Sequence, residues 1–532
     1  MTAIGPGTHS PEFRLTYATM FDPPEALHRQ FDAALERLRP QWGRSLATWR
    51  GRPAPGRAPT HWLEVRSPID RDWLLARLPL SSPVDVARAI EVGQLAQPGW
   101  AATPWTDRLQ ILRRAADLIE QRVYDLAAVV ALEVGKNRME SIGEAQETAD
   151  LLRWYADRLE EADGFDRALP DDPLPGYRSR NRTRLRPYGV WAVIAPFNFP
   201  LALGGAPIAA ALATGNTVVF KGATETAWSG WLLMSVFRDA GVPDGVLGHL
   251  VGGADIGETL VRDPRIAGVT FTGSRRVGMT IARQFIAGPY ARPCIAEMGG
   301  KNAVIVSRHA DIERAATGVA RSAFGLTGQK CSAASRVYVE RPAACALRDA
   351  LVARAEAIAV GDPTRREIWM GPVVRTESVG RYRRVADHLR SSGRIDSGGR
   401  LLADGDLARG FFVAPTVARI GLDDRLWQDE LFAPIVLLAS VDSVDEAIAR
   451  ANGSPYGLTA GFYGAPDEIP QFLDQIEAGV TYVNRPQGAT TGAWPGYQPF
   501  GGWKGSGTTG KGIGSYWYLP LYMREQSQTI VD

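Results

Sequence analysis

From Val190 onward the chain alternates short apolar runs with helix-periodic stretches, and this alternation restricts its fold more than any other feature. The spacing predicts strands at Val190–Ala195 and Thr217–Phe220 and helices at Leu201–Ala213 and Trp228–Ala240, followed by strands at Val246–Val251, Val269–Phe271, Ala303–Val306 and Val337–Val339. Strands and helices in this rhythm predict an α/β fold, with parallel sheets covered by helices. A second series begins near residue 300 and runs to Val483. A chain of 532 residues exceeds what one core supports, so two or three domains are expected.

The segment from Tyr188 to Phe220 carries no charge and is long enough to span a membrane. Pro196, Pro200, Gly204, Gly205, Pro207, Gly215 and Asn216 punctuate it, which favours buried strands and a helix instead. Upstream, Leu27, Phe31, Leu35 and Leu38 recur at helical spacing and predict a peripheral helix over Pro24–Leu38. Periodicity resumes over Val84–Leu159, as several packed helices.

Charge excludes some partners. Sixty basic and 58 acidic residues leave a net +2, too little to draw a nucleic acid or an anionic membrane. The three cysteines, Cys294, Cys331 and Cys345, are too scattered for a disulfide framework or a metal site, and a cytoplasmic location is expected. No basic-then-apolar leader is visible at the start. Only six of the basic residues are lysine, and Lys221, Lys301, Lys330, Lys504 and Lys511 fall in Gly-rich or Cys-containing stretches, where a compact ammonium has particular uses.

Four stretches carry chemistry. Gly273-Ser-Arg-Arg-Val-Gly278 joins a strand to a helix, a turn that offers N–H groups to a pyrophosphate or merely closes tightly. Cys331, in Thr327-Gly-Gln-Lys-Cys-Ser-Ala-Ala-Ser335, is either a nucleophile whose thiolate the adjacent lysine favours or a buried small residue. Cys294 and Cys345 read as inert buried thiols. Glu297 precedes two glycines, as a general base or as a surface carboxylate at a turn. Asn198, alone among apolar residues, either caps the helix beginning near Pro200 or presents its amide to a developing oxyanion.

Together with Glu430-Leu-Phe-Ala-Pro434 and Pro499-Phe-Gly-Gly502, the stretches Pro196-Phe-Asn-Phe-Pro200, Phe271-Thr-Gly-Ser274, Glu297-Met-Gly-Gly-Lys301 and Gly328-Gln-Lys-Cys331 resemble the aldehyde dehydrogenase superfamily. They occur in its order from about residue 70 to the end. The resemblance implies a Rossmann-like cofactor domain (66–175 and 187–298), an α/β catalytic domain (299–498) and a β oligomerisation arm (176–186 and 513–532). Residues 1–65 are then an extension packed on the cofactor domain, and a homo-oligomer based on dimers is expected. By similarity Cys331 attacks the aldehyde, Asn198 and the Cys331 N–H hold the oxyanion, and Glu297 activates water against the thioester. NAD is the implied cofactor, with NADP open. Lys221 and Glu430 would hold its riboses, Gly273, Ser274 and Gly278 its pyrophosphate turn, and Phe432 would pack near the nicotinamide ribose.

Gly328-Gln-Lys-Cys-Ser332, Asn484-Arg-Pro-Gln-Gly-Ala-Thr-Thr-Gly-Ala493 and Leu15-Thr-Tyr-Ala-Thr-Met20 further resemble L-glutamate γ-semialdehyde (1-pyrroline-5-carboxylate) dehydrogenases of proline catabolism. That group implies a substrate carboxylate held by Ser332, Gly492 and Ala493. Two departures stand out. Lys221-Gly-Ala-Thr224 lacks the acid expected three residues after the lysine, which leaves NADP⁺ open, and Trp494-Pro495 makes the loop bulkier. Another semialdehyde or aliphatic aldehyde is the alternative substrate, and a cofactor-independent thiol esterase is the alternative from a different class.

Overall fold

The computed structural model describes residues 16, 23–46, 61–173, 175–488 and 494–531. A five-stranded parallel sheet runs in the order Cys294–Met298, Gly268–Gly273, Val190–Ile194, Thr217–Lys221, Leu247–Leu250. Alternate residues of its central strands enter different cores. Trp191, Val193, Val218 and Phe220 pack with the helix Ala202–Ala213, whereas Val190, Ala192 and Val219 join Val86 and Ile90 of the helix Pro83–Ala102. Both faces are therefore apolar, and the strands read as continuous apolar runs. Val190–Ile194 is flanked by Thr217–Lys221 on one side and Gly268–Gly273 on the other, so the strand order reverses there and a crevice opens at the carboxyl ends of these strands.

The second sheet has seven strands, in the order Gly393–Ser397, Thr416–Ile420, Ile435–Val441, Ala334–Glu340, Asn302–Val306, Thr459–Tyr463, Val480–Val483. All its pairings are parallel except the first. Only Gly299, Gly300 and Lys301 separate the last strand of the first sheet from the first strand of the second. Both sheets thus present strand ends to a single connection, and Glu297 lies in the strand that leads into it.

Ser179–Pro187 pairs antiparallel with Met523–Val531 and with Asp166–Leu169 to make a separate three-stranded sheet. It includes a strand, Asp166–Leu169, that sequence patterning leaves outside the arm. Near the N-terminus the helix Glu25–Leu38 buries Phe31, Ala34 and Leu38 against the helix Val123–Val134. Arg138 holds it there, its Nη2 2.5 Å from Asp32 and its guanidinium over the Phe31 ring.

The uncharged segment forms buried strands and a helix, and no described helix is long and apolar enough to cross a membrane. One thiol departs from expectation. Cys345 is exposed, because it begins the helix Ala344–Glu356 on a face that the second sheet does not cover; Cys294 is half-buried, and burial pushes its thiol up to about 12.

Candidate active site

The helix Ile312–Phe324 ends at a tight turn, Gly325–Gly328, that leads directly to Cys331 and then to the strand Ala334–Glu340. Leu326 and Thr327 adopt left-handed backbone angles, φ 47° and 54°, which cost on the order of 1–3 kcal/mol each for residues with a Cβ. Gly328 has φ 66°, and a Cβ there would lie 2.3 Å from the Ala433 carbonyl oxygen. Such a turn persists only where its surroundings over-determine it. Thr327 Oγ1 donates to the Gly371 carbonyl at 2.9 Å, and Gln329 Oε1 accepts from Val374 N at 2.9 Å. Asn302 Nδ2 donates to the carbonyls of Cys331 (2.6 Å) and Ala333 (2.9 Å), and its Oδ1 accepts from Thr459 N.

Asn198 reaches the same loop from the other sheet. Its Nδ2 donates to the Gln329 carbonyl at 3.0 Å, two residues before Cys331, and that nitrogen carries a second hydrogen. Asn198 does not cap the following helix. The Glu144 carboxylate takes that role, accepting from Leu201 N at 2.8 Å and Ala202 N at 3.3 Å, because it lies beneath the helix start and the Asn198 amide is turned toward Gln329.

Glu297 is buried rather than at the surface. Burial pushes its carboxyl up to about 8, opposed by a hydrogen bond from the Gly502 N–H, and Oε2 has no protein partner. An unpaired carboxylate oxygen in a buried site suits a group that must take a proton from water. Cys331 keeps part of its surface accessible, yet burial pushes its thiol up to about 12, helped by the charges of Glu430 and Glu297; the N–H groups of Cys331 and Ser332 act in the opposite direction. The Lys330 ammonium and the Cys331 thiolate favour one another, as expected, since the Cys331 charge raises the Lys330 pKa, but burial outweighs this at both groups. The Lys330 ammonium is turned to Glu140, 3.9 Å away, and burial lowers its own pKa.

The groups expected to hold the cofactor surround the crevice. Lys221 ends its strand buried, its pKa lowered by burial and raised in part by Glu225 and Asp255. Ser274 caps the helix Arg275–Ile286, its Oγ accepting from Val277 N at 3.4 Å, and residues 274–277 are exposed. That leaves a helix N-terminus, with its partial positive charge, open to an anion. Gly273 completes the strand leading into it. Gly278 has a packing role instead, since a Cβ there would come within 2.6 Å of Met298 Sδ.

Glu430 Oε1 accepts from Gly300 N at 3.1 Å, and any Cβ on Gly299 would overlap the Glu430 carboxylate. Burial pushes Glu430 up to about 7, against the Gly300 N–H, Arg381 and Lys301. Phe432, at φ 50°, packs edge-on against Phe197 beside Asn198, with centroids 6.0 Å apart. A free helix N-terminus, a buried lysine at the end of a strand two places along the same sheet and a carboxylate across the crevice fit a dinucleotide with two riboses and a pyrophosphate. Ser332 is buried beside Cys331. Gly492 and Ala493 lie outside the described residues.

Asn302, Gln329 and Gly502 were assigned no role from sequence. Gln329 and Gly502 lie inside the motifs that carry the resemblance and Asn302 directly follows one, but their partners are remote in the chain.

Cys331, Asn198 and Glu297 thus come together between the five-stranded and the seven-stranded sheet. The model of the aldehyde dehydrogenase family matches residues 56–527, and the chain belongs to that family. It is 34% identical over 521 residues to a 1-pyrroline-5-carboxylate dehydrogenase of Geobacillus thermodenitrificans, covering 96% of this chain and 97% of the relative. It is 35% identical over 468 residues to a 2,5-dioxopentanoate dehydrogenase of Saccharolobus solfataricus, covering 87% and 94%. A solved 1-pyrroline-5-carboxylate dehydrogenase from Thermus with bound NAD superposes with a TM-score of 0.90 at 31% identity, over 99% of this chain and all of that one.

Proposed function

We propose that this protein oxidises L-glutamate γ-semialdehyde to L-glutamate with NAD⁺. The observation that carries the reading is the convergence of Cys331, Asn198 and Glu297 from three separated segments, in a chain similar along nearly its whole length to 1-pyrroline-5-carboxylate dehydrogenases.

Cys331 gives up its thiol proton to solvent water, and the thiolate Sγ forms a bond to the aldehyde carbon, giving a thiohemiacetal anion. The second Nδ2 hydrogen of Asn198 and the Cys331 N–H stabilise the oxygen as it becomes negative. NAD⁺, when bound, would supply the acceptor for the hydride of that carbon, and Cys331 would then carry the thioester. Glu297 takes a proton from water, whose oxygen attacks the thioester; the C–S bond breaks and the acid departs. Lys221, Ser274 and Glu430 hold the cofactor while Phe432 and Phe197 wall the site. Ser332, with Gly492 and Ala493, receives the substrate carboxylate through hydroxyl and N–H donors, without a buried cation. The three-stranded sheet, with Leu169, Ile530 and Val531 exposed, joins copies of the chain in a homo-oligomer.

The test is the initial rate of nicotinamide reduction with glutamate γ-semialdehyde, 2,5-dioxopentanoate, succinate semialdehyde, propanal and hexanal, under NAD⁺ and NADP⁺ separately. A lead for glutamate γ-semialdehyde of more than about tenfold in kcat/KM, roughly 1.4 kcal/mol of transition-state preference, supports the assignment. A lead for an uncharged aldehyde would sink the carboxylate site.

A further inference from the structure

A group of buried charges lies behind the site and takes no part in the chemistry above. Lys136 stands in the turn between the helices Val123–Val134 and Arg138–Glu161. Its Nζ is 2.5 Å from Glu144, with both side chains wholly buried, and lies 3.5 Å over the Phe199 ring centroid. Glu144 also accepts from Leu201 N and Ala202 N. The pair therefore grips the chain immediately after Asn198, by a cation over Phe199 and a carboxylate on Leu201 and Ala202. One helical turn away, Glu140 accepts from Leu326 N at 3.3 Å and faces Lys330. A single helix thus holds the Asn198 segment with one carboxylate and the segment before Cys331 with another.

The start of that helix is itself bolted to the catalytic half. Asn137 Nδ2 donates to the Trp369 carbonyl at 2.9 Å and Arg138 Nε to the Thr364 carbonyl at 2.7 Å. A Cβ on Gly135 would come within 2.8 Å of the Pro372 ring. Desolvating a lysine and a glutamate costs several kcal/mol per ion, and an apolar pair would fill the same volume with no such cost. What the ions add is direction, since each hydrogen bond fixes an angle as well as a distance.

We propose that the Lys136–Glu144 pair sets the Asn198 amide against the Cys331 loop, so that both are positioning residues for aldehyde oxidation. This rests on the reading of Asn198 as the oxyanion donor. The pair touches neither aldehyde nor cofactor and acts through the Phe199–Ala202 backbone.

The test is a double-mutant cycle between Lys136→Met and Asn198→Ala on the full chain, reading kcat with the preferred aldehyde and KM for NAD⁺. Lys136→Met should lower kcat about tenfold or more, by displacing the amide on the scale at which misplacement is costly, with KM for NAD⁺ changed less than about twofold. In the Asn198→Ala background the same change should cost less than about twofold, because the group it positions is gone. An equal loss in both backgrounds, or none in either, would overturn the positioning role. Should Lys136→Met fail to fold because Glu144 is left unpaired, the uncharged pair K136M/E144Q keeps an acceptor for Leu201 N and enters the same cycle. Wild-type kcat in Asn198→Ala alone would overturn the oxyanion reading and this inference with it. Loss there with an independent Lys136 effect would overturn only the inference.

Discussion

The two turns to which the proposed cofactor and nucleophile roles fall are built in opposite ways. The turn at Gly273–Ser274 is exposed, held by one side-chain cap of 3.4 Å, and keeps its helix N-terminus free. The turn at Gly325–Cys331 is buried, contains two residues with left-handed backbone angles, and is held by Asn302, Gln329, Thr327 and Asn198. A site that binds and releases a cofactor needs unsatisfied donors facing solvent. A nucleophile needs its reaction geometry fixed before substrate arrives, and the surrounding hydrogen bonds offset the strain that this requires.

Breaking the catalytic turn should have the largest effects. Cys331→Ala should lower NADH formation by about 10⁴-fold or more, while cofactor binding measured by fluorescence titration persists; residual turnover near wild type would remove Cys331 from the mechanism. Glu297→Gln should slow thioester hydrolysis by about 10²–10⁴-fold. The base must be ionised to act, and burial holds its pKa near 8, so the wild-type hydrolytic rate should climb as pH rises through about 8. A pH–rate profile of the variant should lack that limb, and its survival would assign the titration to another group.

Asn302→Ala leaves the Cys331 carbonyl without its clamp and the Thr459 N–H without an acceptor. A kcat reduced about 10²-fold is expected. Thermal or urea denaturation should show about 2 kcal/mol of lost stability from the buried groups left unsatisfied. If activity falls while stability does not, the clamp is purely geometric. The smallest effect belongs to the exposed turn. Ser274→Ala should raise KM for NAD⁺ about threefold to fivefold at unchanged kcat, consistent with about 1 kcal/mol for a helix cap. A kcat effect there as large as that of Asn302→Ala would erase the distinction between the turns.

How much of this was legible differs along the same line. The alternation from Val190 to Val251 and the strand-to-helix turn at Gly273–Gly278 depend on near neighbours, so they can be read from a single stretch of sequence. The Asn198 amide meets Gln329 across 131 residues, and Asn302 meets the Cys331 carbonyl across 29. No local pattern encodes such partners. The small weight of Lys330 at the thiol has the same origin. A lysine beside a cysteine in sequence suggests a favoured thiolate, but the loop turns the ammonium toward Glu140, and burial with two nearby carboxylates governs the thiol instead. Likewise Glu144, not Asn198, caps the helix at Leu201, from a segment 57 residues earlier.

Sequence alone determined the α/β plan, the βα turn at Gly273–Gly278, and the residue types able to act as nucleophile, base and oxyanion donor. Hydrophobic period and backbone preference operate over a few residues, and that is the range a sequence displays directly. The tertiary structure decided which of those groups meet, that Glu297 is buried with one oxygen unpaired, and that a lysine–glutamate pair lies behind Asn198. Desolvation and hydrogen-bond direction exist only once distant segments are packed together.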